Sequence, residues 1–510
     1  SITFVLGFAE KTETEDVNVA ALGLTELAKS ARRLTLNLPR IKTPDPLLNA
    51  MVSRWLPWQA LICRIYARTG FYQCGGAWGF RDQLQDSLAT LWFKPDITRS
   101  QLVRCAAVQF EEGDVMHWWY QLPDMFQGVR THCSDDLVWL PYAAAEYVDF
   151  TGDGSVLDEQ VGWLAAEPLR PDEKDRYFKP LHTDYTSPLY EHCIRALERA
   201  STRGEHGLPL IGSGDWNDGF SLIGIQGRGE SVWMAMFLAI SLDRFAPICE
   251  MRGQPERAAE FRKTADEYRR AADSCFAGDR YIRAFFDDGS PLGAPGSGDC
   301  EIDSLPQSFS VLCGLPSERT SVALDTALKM LVDRDSGIVK LLAPPFARSQ
   351  AEERLDDSHR PVGYITAYPP GLRENGGQYT HAATWLTIAL LESGRIDEGV
   401  ELLQILSTAH KYAAGLGDRY KGEPYALSGD VYANPECPGR AGWTQYTGSA
   451  GWYYTAVLRH LLGLRPHGGS LEIHPRLPSD WGECEINLTL SATPLSIRYK
   501  RGAPELLVPD

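Results

Sequence analysis

Two carboxylates in one glycine-rich loop are the side chains of this sequence best suited to chemistry. The loop covers residues 207–219 and reads Gly-Leu-Pro-Leu-Ile-Gly-Ser-Gly-Asp-Trp-Asn-Asp-Gly, so that Asp215 and Asp218 flank Trp216. In a sugar-binding cleft an indole ring packs on the C–H face of a sugar, and a carboxylic acid addresses a hydroxyl or the glycosidic oxygen. The same residues also fit a structural turn with an Asx cap and a packing tryptophan. The loop alone leaves both interpretations open.

A second polar group lies in residues 80–86, Phe-Arg-Asp-Gln-Leu-Gln-Asp, after a glycine-rich stretch. If Arg81 opens a helix, Asp86 follows little more than one turn later, and the two side chains form a polar fork for adjacent hydroxyls of one sugar. The alternative is a helix N-terminus at which Asp82 favours the helix dipole, together with a surface Arg–Asp pair.

A third group lies in residues 368–381, which end where an apolar helix begins. His381 is therefore expected near free backbone N–H groups and the positive end of a helix dipole, both of which attract an anion. A histidine at this position can also be a capping or core residue. Arg373 and Glu374 in the same loop favour a binding site.

The last such segment is residues 442–452, Gly-Trp-Thr-Gln-Tyr-Thr-Gly-Ser-Ala-Gly-Trp. Its small residues allow the backbone to approach a ligand, and Thr447 with the Gly448 amide could hold two oxygens of a tetrahedral anion. The segment lacks the lysine of a nucleotide-binding loop, which argues against a nucleotide. A tightly packed helix start is the alternative.

Charge and cysteine usage limit the possible partners. The formal net charge is −17, from 50 Lys and Arg against 67 Asp and Glu, which argues against a nucleic-acid or anionic-membrane partner. The 11 cysteines form no C-x-x-C pair and no zinc-type spacing, a pattern typical of reduced thiols in a cytoplasmic protein. Because no apolar run of about 18 residues is apparent, we expect no membrane-spanning segment. Nothing indicates a metal or an organic cofactor.

The periodicity of apolar residues predicts a mainly helical chain with few strands between residues 47 and 462. Short glycine-containing turns join several helices in pairs, which predicts a toroid of helical hairpins with long loops gathered at one end. After Arg465 short alternating runs predict a few strands, the natural partners of a strand at residues 2–8. The predicted helices cover residues 48–67, 98–110, 136–149, 187–200, 230–251, 255–275, 318–332, 381–392, 396–412 and 448–462.

Five segments in this order carry a resemblance to a known family. Together they resemble the inverting glycoside phosphorylases that include cellobiose and chitobiose phosphorylases, and in particular the phosphorylase-like C-terminal region of cyclic β-1,2-glucan synthases. Shorter matches such as Thr43-Pro-Asp-Pro and His474-Pro-Arg-Leu-Pro extend the similarity from about residue 43 to about residue 481. The five segments are residues 80–86, 112–119, 212–219, 373–377 and 446–452.

The resemblance implies an architecture. Residues 46–465 would form an (α/α)6 barrel, the catalytic domain, followed by a C-terminal β-strand element at residues 466–510. Residues 1–10 would be the last strand of a truncated N-terminal β-sandwich, joined by a linker with a helix at residues 11–45. Since the first residue is Ser rather than Met, we expect a fragment or a processed piece. From the resemblance we also expect the chain to belong to a larger multidomain synthase or to form a homodimer.

The resemblance also implies roles for individual residues. Asp218 matches the general acid of the family. The other positions match residues that hold the donor sugar, the acceptor sugar and phosphate: Trp216, Arg81 and Asp86 on the donor side, Glu374 with Arg373 on the acceptor side, and His381, Thr447 and Gly448 at phosphate.

The residue inventory agrees with phosphorolysis. An inverting hydrolase needs an acid and a base that activates water, whereas a phosphorylase needs the acid and a site for phosphate, itself an anionic nucleophile. We therefore expect inorganic phosphate to attack a β-linked gluco-oligosaccharide, with Asp218 as acid and an α-sugar 1-phosphate as product. Phosphate would be a co-substrate and no cofactor would be needed.

Two other functions remain open at this point. The first is an inverting hydrolase of the same fold, with Asp218 as acid and Glu374 or Asp82 as base. The second is a glucan-binding or chain-length-controlling region of a larger cyclic β-1,2-glucan synthase whose synthetic activity lies elsewhere. The sugar and its linkage are not fixed by the sequence, with β-1,2 expected before β-1,4 from the resemblance alone.

Overall fold

The structure, a computed structural model, describes residues 38–66, 76–122, 125–171, 173–346, 362–445, 448–490, 492–500 and 503–507. Helices dominate these residues, and several small sheets accompany them. The predicted strand at residues 2–8 and the predicted phosphate ligand Thr447 lie outside the described residues.

Every predicted helical segment overlaps a helix of the structure. Four of the predicted segments are divided: residues 48–67 and 448–462 change between α and π geometry, residues 136–149 begin with a 3-10 turn, and residues 396–412 split at Ser407. The α-helices are Pro46–Ala50, Leu56–Trp58, Phe80–Leu88, Pro95–Ala106, Trp139–Thr151, Leu189–Ala200, Val232–Met251, Pro255–Ser274, Ser304–Leu312, Ser317–Leu331, Thr380–Glu392, Ile396–Leu406, Thr408–Ala413, Gly417–Tyr420 and Ser449–Thr455. The π-helical turns are Met51–Trp55, Gln59–Tyr66 and Ala456–Leu461, and the 3-10 turns are Ala89–Trp92, Asp136–Val138, Gly154–Asp158, Asp218–Phe220 and Tyr364–Ala367.

The helix Ser304–Leu312 was not predicted from the sequence. It contains a proline and three serines, which have low helix propensity. Asp303 caps it by accepting a hydrogen bond from the backbone N–H of Leu305 at 2.8 Å. Burial of nearly all its side chains against the rest of the fold stabilises the helix.

Six of the described helices contact one another in a closed cycle. Their side chains are buried almost all round, as expected for helices packed on both sides. The helix that follows each along the chain packs outside it, and the sixth packs against residues 46–66. One outer helix, Pro255–Ser274, buries only residues spaced three and four apart, the stripe of an amphipathic helix. The inner helices are Phe80–Leu88, Trp139–Thr151, Val232–Met251, Ser304–Leu312, Thr380–Glu392 and Ser449–Thr455.

One inner helix corrects the expectation about apolar runs. Val232–Met251 is long and apolar enough to cross a membrane by length and composition, and it is the one such helix among the described residues. Within the fold 78% of its most apolar window is buried. This burial is what a core helix requires.

The prediction of few strands before residue 462 is wrong for residues 116–188. Met116–Leu122 and Met125–Thr131 form a hairpin, flanked by Trp78–Gly79 and Asp175–Phe178 in one four-stranded antiparallel sheet. A register shift between Met116 and Trp118 interrupts the period-two alternation that reveals a strand in sequence. A second pair joins Gln160–Ala165 to Leu181–Pro188.

The predicted C-terminal strands are present, and one partner lies in the predicted linker. Glu483–Leu490, Thr493–Lys500 and Ala503–Leu507 form an antiparallel sheet, and Arg40–Lys42 adds to its edge opposite residues 485–487. Leu464–His467 pairs with Ser470–Ile473. The remaining strands have two residues each and brace loops between helices: Glu230–Ser231, Ala284–Phe285, Pro291–Leu292, Ile302–Asp303, Val332–Asp333, Ile338–Val339, Leu342–Ala343, Gln378–Tyr379 and Asp430–Val431.

Candidate active site

The candidate residues meet where the inner helices begin. Arg81 is the second residue of Phe80–Leu88, and His381 is the second residue of Thr380–Glu392. Gly448 is the N-cap of Ser449–Thr455. Because several helix N-termini open at this end of the ring, the local field favours an anion.

Asp218 lies against the guanidinium of Arg81. One Nη of Arg81 is 2.5 Å from Asp218 Oδ1, and the other is 2.7 Å from Asp135 Oδ1 and 2.9 Å from the Asp215 carbonyl oxygen. Arg81 is buried, whereas the Asp218 side chain is 37% exposed. Arg81 therefore holds the acid loop from its buried side, and the solvent-facing side of Asp218 stays accessible to a substrate.

His117 is a neighbour of the acid to which the sequence assigned no role. Its Nδ1 is 2.7 Å from Asp136 Oδ2, and its Nε2 is 3.7 Å from Asp218 Oδ2. Burial lowers the pKa of His117, but Asp136 and Asp218 outweigh burial and raise it to about 9. His117 is therefore a cation at neutral pH. Its place in residues 112–119, one of the resembling segments, was the available signal.

Asp215, the other acid of the loop, holds the loop in place. Its carboxylate is fully buried and receives two hydrogen bonds from Arg283, at 2.6 and 2.7 Å, and one from Ser231 at 2.7 Å. Burial raises its pKa, but Arg283 outweighs burial and the pKa is lowered. The left-handed φ of 61° at Gly212 belongs to the same turn, where a Cβ would lie 2.0 Å from the carbonyl oxygen of His132.

His381 and Gly448 lie side by side. A Cβ on Gly448 would lie 3.1 Å from His381 Cε1, so only glycine allows this approach without displacement. The pKa of His381 is held well below 6.5 by burial and by the nearby charges of Arg64 and Arg81. Its Nε2 is buried and has no hydrogen-bond partner among the described residues. A neutral imidazole with a free nitrogen is available to a ligand.

Asp86 is paired with Arg64 and not with Arg81. Its Oδ2 accepts a hydrogen bond from Arg64 Nε at 2.8 Å, and its Oδ1 is buried with no partner in the described part of the chain. Burial raises the pKa of Asp86 to about 7, with Arg64 acting in the opposite direction. The alternative of a surface Arg–Asp pair is wrong, because Arg81 and Asp86 are 6% and 1% exposed.

Trp216 forms part of an aromatic wall behind the acid. Its ring centroid is 5.4 Å from that of His381, 5.1 Å from that of Tyr379 and 5.5 Å from that of Trp385. The indole is largely buried. It connects the acid loop mechanically with the helix that carries His381.

Arg373 and Glu374 lie on a neighbouring loop. Arg373 adopts a left-handed φ of 49°, its guanidinium lies 3.5 Å from the centroid of the Trp443 ring, and its Nε is 3.2 Å from Glu374 Oε2. Burial raises the pKa of Glu374, Arg373 opposes this, and the charge of Asp218 adds to it. The effect of Asp218 on this pKa shows that the two carboxylates share one electrostatic environment.

The carboxylates around Asp218 are paired with cations. Asp135 binds Arg81, Asp136 binds His117, and Asp215 binds Arg283. Of the two bases considered for a hydrolase, Glu374 is paired with Arg373, and Asp82 lies 3.9 Å from Arg64. Asp218 and Asp82 keep side chains that are 37% and 45% exposed, whereas Asp135, Asp136 and Asp215 are buried in their ion pairs.

A helical ring with an acid loop, an aromatic wall and a free imidazole at one end has the features of a catalytic domain that acts on carbohydrates. Residues 34–463 match the family model described as the glycosyl hydrolase 94 superfamily, catalytic domain. The chain therefore belongs to the glycosyl hydrolase 94 superfamily, which confirms the family resemblance read from the sequence.

The relatives include a synthase and several phosphorylases. The chain is 41% identical over 521 residues to the cyclic beta-(1,2)-glucan synthase NdvB of Rhizobium meliloti, covering 99% of this chain and 18% of that protein. It is 31% identical to the solabiose phosphorylase of Paenibacillus borealis, covering 88% of this chain and 53% of that enzyme. The chain thus spans about a fifth of the synthase and about half of the phosphorylase.

Solved structures show the same fold at low identity. A GH78 family rhamnosidase of a Bacillus species matches with a TM-score of 0.57 and 15% identity, covering 91% of this chain and 40% of that chain. At this identity the likeness concerns the fold alone.

Proposed function

We propose that this chain is an inverting glycoside phosphorylase that cleaves a β-linked gluco-oligosaccharide with inorganic phosphate. The observation that carries the proposal is the contrast among the acids at the site. Asp218 is partly exposed although it contacts Arg81 and His117, whereas Asp135, Asp136 and Asp215 are buried in ion pairs. A site whose neighbouring carboxylates are each paired with a cation fits a reaction whose nucleophile is already an anion.

The step balances with these groups. A phosphate oxygen forms a bond to the anomeric carbon from the face opposite the leaving group, and the glycosidic C–O bond breaks. The proton of Asp218 passes to the departing oxygen, which leaves as a hydroxyl. Inversion yields an α-sugar 1-phosphate, and Arg81 and His117 stabilise the carboxylate that remains on Asp218.

The phosphate would lie between the helix N-termini. His381 offers a free buried nitrogen, and Gly448 brings its backbone close to that ring. Thr447 completes the proposed set. Neutral His381 donates or accepts a hydrogen bond without adding charge, and the helix N-termini provide the positive field.

The sugars would flank the acid. We assign Trp216, Arg81 and Asp86 to the donor sugar, and Arg373 and Glu374 to the acceptor sugar. The similarity to a glucan synthase favours a glucosyl substrate, with a β-1,2 linkage first because of the 41% identity to that protein. A β-1,4 disaccharide is the next choice.

The scaffold we propose is an (α/α)6 barrel. The closed cycle of six inner helices, each with an outer helix packed against it, supports this architecture. We further propose a cytoplasmic location and, for the whole protein, either a homodimer or a larger multidomain synthase.

A second candidate is a chain-length-controlling region of such a synthase. The match over 99% of this chain to 18% of the glucan synthase supports it. Glucan binding by the isolated chain without turnover, and turnover in a longer chain, would favour this candidate over an independent phosphorylase.

The test is a substrate panel in both directions. The chain is incubated with β-1,2-, β-1,3- and β-1,4-linked gluco-oligosaccharides and phosphate, and with α-sugar 1-phosphates and acceptor sugars. We expect phosphate-dependent formation of α-glucose 1-phosphate from one linkage class. Phosphate-independent sugar release would instead identify a hydrolase.

A further inference from the structure

A nitrogen, a sulfur and an oxygen ligand converge at the acid. His117, Cys133 and Asp218 each offer one ligand atom, and these atoms all lie within 4.8 Å of one another. His117 Nε2 is 3.7 Å from Asp218 Oδ2, and Cys133 Sγ is 3.8 Å from Asp218 Oδ1. Tetrahedral zinc with ordinary bond lengths places its ligand atoms roughly 3.4–3.6 Å apart. The three groups therefore need to move only slightly to share one ion.

The surroundings orient two of the ligands. His117 uses Nδ1 for its contact with Asp136 at 2.7 Å, which leaves Nε2 towards Asp218. A carboxylate on the far nitrogen is the usual support of a zinc-binding histidine. Cys133 is fixed by the hydrogen bond from its backbone N–H to Thr131 Oγ1 at 3.1 Å, and its sulfur contacts the Asp215 carbonyl oxygen at 3.6 Å.

A neighbouring cation opposes tight binding. Arg81 contacts Asp218 Oδ1 at 2.5 Å and must release or share that oxygen when the ion binds. The ion must also replace the proton of the Cys133 thiol, because a metal binds the thiolate. These costs are those of a reversible inhibitory site and not of a resident structural metal.

We propose that His117, Cys133 and Asp218 form a reversible binding site for a thiol-preferring divalent cation, with Zn²⁺ as the fitting ion. Bound there, the ion occupies the carboxylate that must carry the proton to the leaving group. The binding site depends only on the geometry, whereas its inhibitory effect rests on the proposed function of Asp218.

Binding is tested with Co²⁺, whose absorption reports thiolate coordination. We titrate the full chain with Co²⁺ from about pH 6 to about pH 8 and compare Cys133→Ser with Cys437→Ser. Cys437 is the matched control because it is not buried, unlike Cys133 and the other described cysteines. We expect one equivalent with a thiolate-to-cobalt band in the wild type and in Cys437→Ser, and loss of the band in Cys133→Ser.

His117→Gln provides a second variant in case Cys133→Ser fails to fold, and melting temperatures check all variants. We expect His117→Gln to weaken Co²⁺ binding at least about tenfold, as loss of one of three ligands should. A thiolate band that persists in Cys133→Ser, or no such band in the wild type at any pH tested, would overturn the proposal.

Inhibition is tested separately with Zn²⁺ in the phosphorolysis assay, reversed by a chelator. We expect Zn²⁺ to inhibit the wild type, the chelator to restore its activity, and Cys437→Ser to behave like the wild type. Equal inhibition of Cys133→Ser at equal Zn²⁺ would contradict the site. A chain that binds Co²⁺ through Cys133 but shows no phosphorolysis would contradict the proposed function and leave the metal site standing.

Discussion

The two ends of the inner helices carry charged side chains in different ways. At the N-terminal end the buried cation Arg81 and the half-buried cation His117 lie against the partly exposed Asp218, and Arg283 is buried against Asp215. At the C-terminal end a cavity of about 230 Å³ is lined by aromatic rings and by Arg–Glu pairs. There Glu392 is 2.9 Å from Arg465, 2.8 Å from Arg476 and 2.6 Å from His460.

The comparison separates charged side chains that are held in ion pairs from the one carboxylate that we propose to react. At the far end both glutamates that line the cavity, Glu146 and Glu392, are paired with arginines. At the near end the buried acids are paired in the same manner, but Asp218 is left accessible among cations. Helix N-termini favour an anion there, whereas helix C-termini favour cations at the other end. The same helices thus have a polarity that agrees with a proposed active site at their N-terminal end.

The largest effect is expected from removing the exposed acid. Asp218→Asn keeps the shape but cannot donate the proton, so kcat/KM for phosphorolysis should fall by about 10² to 10⁴. Glu392→Gln, at the far end, is the matched control and should retain kcat/KM. Equal activity of Asp218→Asn and the wild type would remove Asp218 from its assigned role.

Next is the buried pair that holds the acid loop. Arg283→Gln leaves Asp215 as an uncompensated buried charge, which should lower the free energy of unfolding by about 3–5 kcal/mol. Chemical denaturation measures this loss. A change below about 1 kcal/mol would show that the loop does not depend on the Arg283–Asp215 pair.

The pH dependence of stability isolates His117. Since its pKa rises from 6.5 to about 9 on folding, its contribution is fully present below about pH 6.5 and is lost as the pH rises through 9. The loss should amount to about 3 kcal/mol at most. Unfolding free energies of His117→Gln should lack this fall with pH, and an identical pH profile in variant and wild type would contradict the assignment.

A smaller effect is expected at the proposed phosphate site. His381→Ala removes one hydrogen bond to a charged ligand, so the KM for phosphate should rise roughly 10- to 100-fold. Initial rates at varied phosphate and saturating sugar measure this. Because the imidazole is assigned to phosphate, the KM for the sugar should change much less, and an equal rise in both constants would point to a structural role.

The smallest effect is expected at the far end. Arg465→Gln removes one of the two arginines that pair with Glu392, and Arg465 lies partly in solvent, so the cost should be about 0–1 kcal/mol in unfolding free energy. The free energies of unfolding of Arg465→Gln and Arg283→Gln, both measured by chemical denaturation, give the direct comparison. A loss as large as that of Arg283→Gln would show that the two ends are not different in kind.

Local pattern was enough to predict most of the helices and the loops that carry Asp218, His381 and Gly448, because glycine-rich segments and apolar periodicity are short-range signals. It missed the helix Ser304–Leu312, which contains a proline and three serines, and the strand Met116–Leu122, where a register shift interrupts the alternation.

Pairings between distant residues could not be predicted in this way. Asp215 and Arg283 are 68 residues apart in sequence, and Arg81 and Asp218 are 137 apart. No local pattern records such contacts, so the roles of His117, Cys133, Arg64 and Arg283 emerged only from the fold. The resemblance supplied residue roles, and the structure supplied the ion pairs that set the environment of each acid.

The most direct test of the central claim is the rate of sugar release at varied phosphate, followed by ³¹P and ¹H NMR with the linkage that the panel selects. The claim predicts no release without phosphate, saturation with phosphate, and an α-sugar 1-phosphate as the first product. Release at an undiminished rate without phosphate, giving free sugar alone, would contradict it.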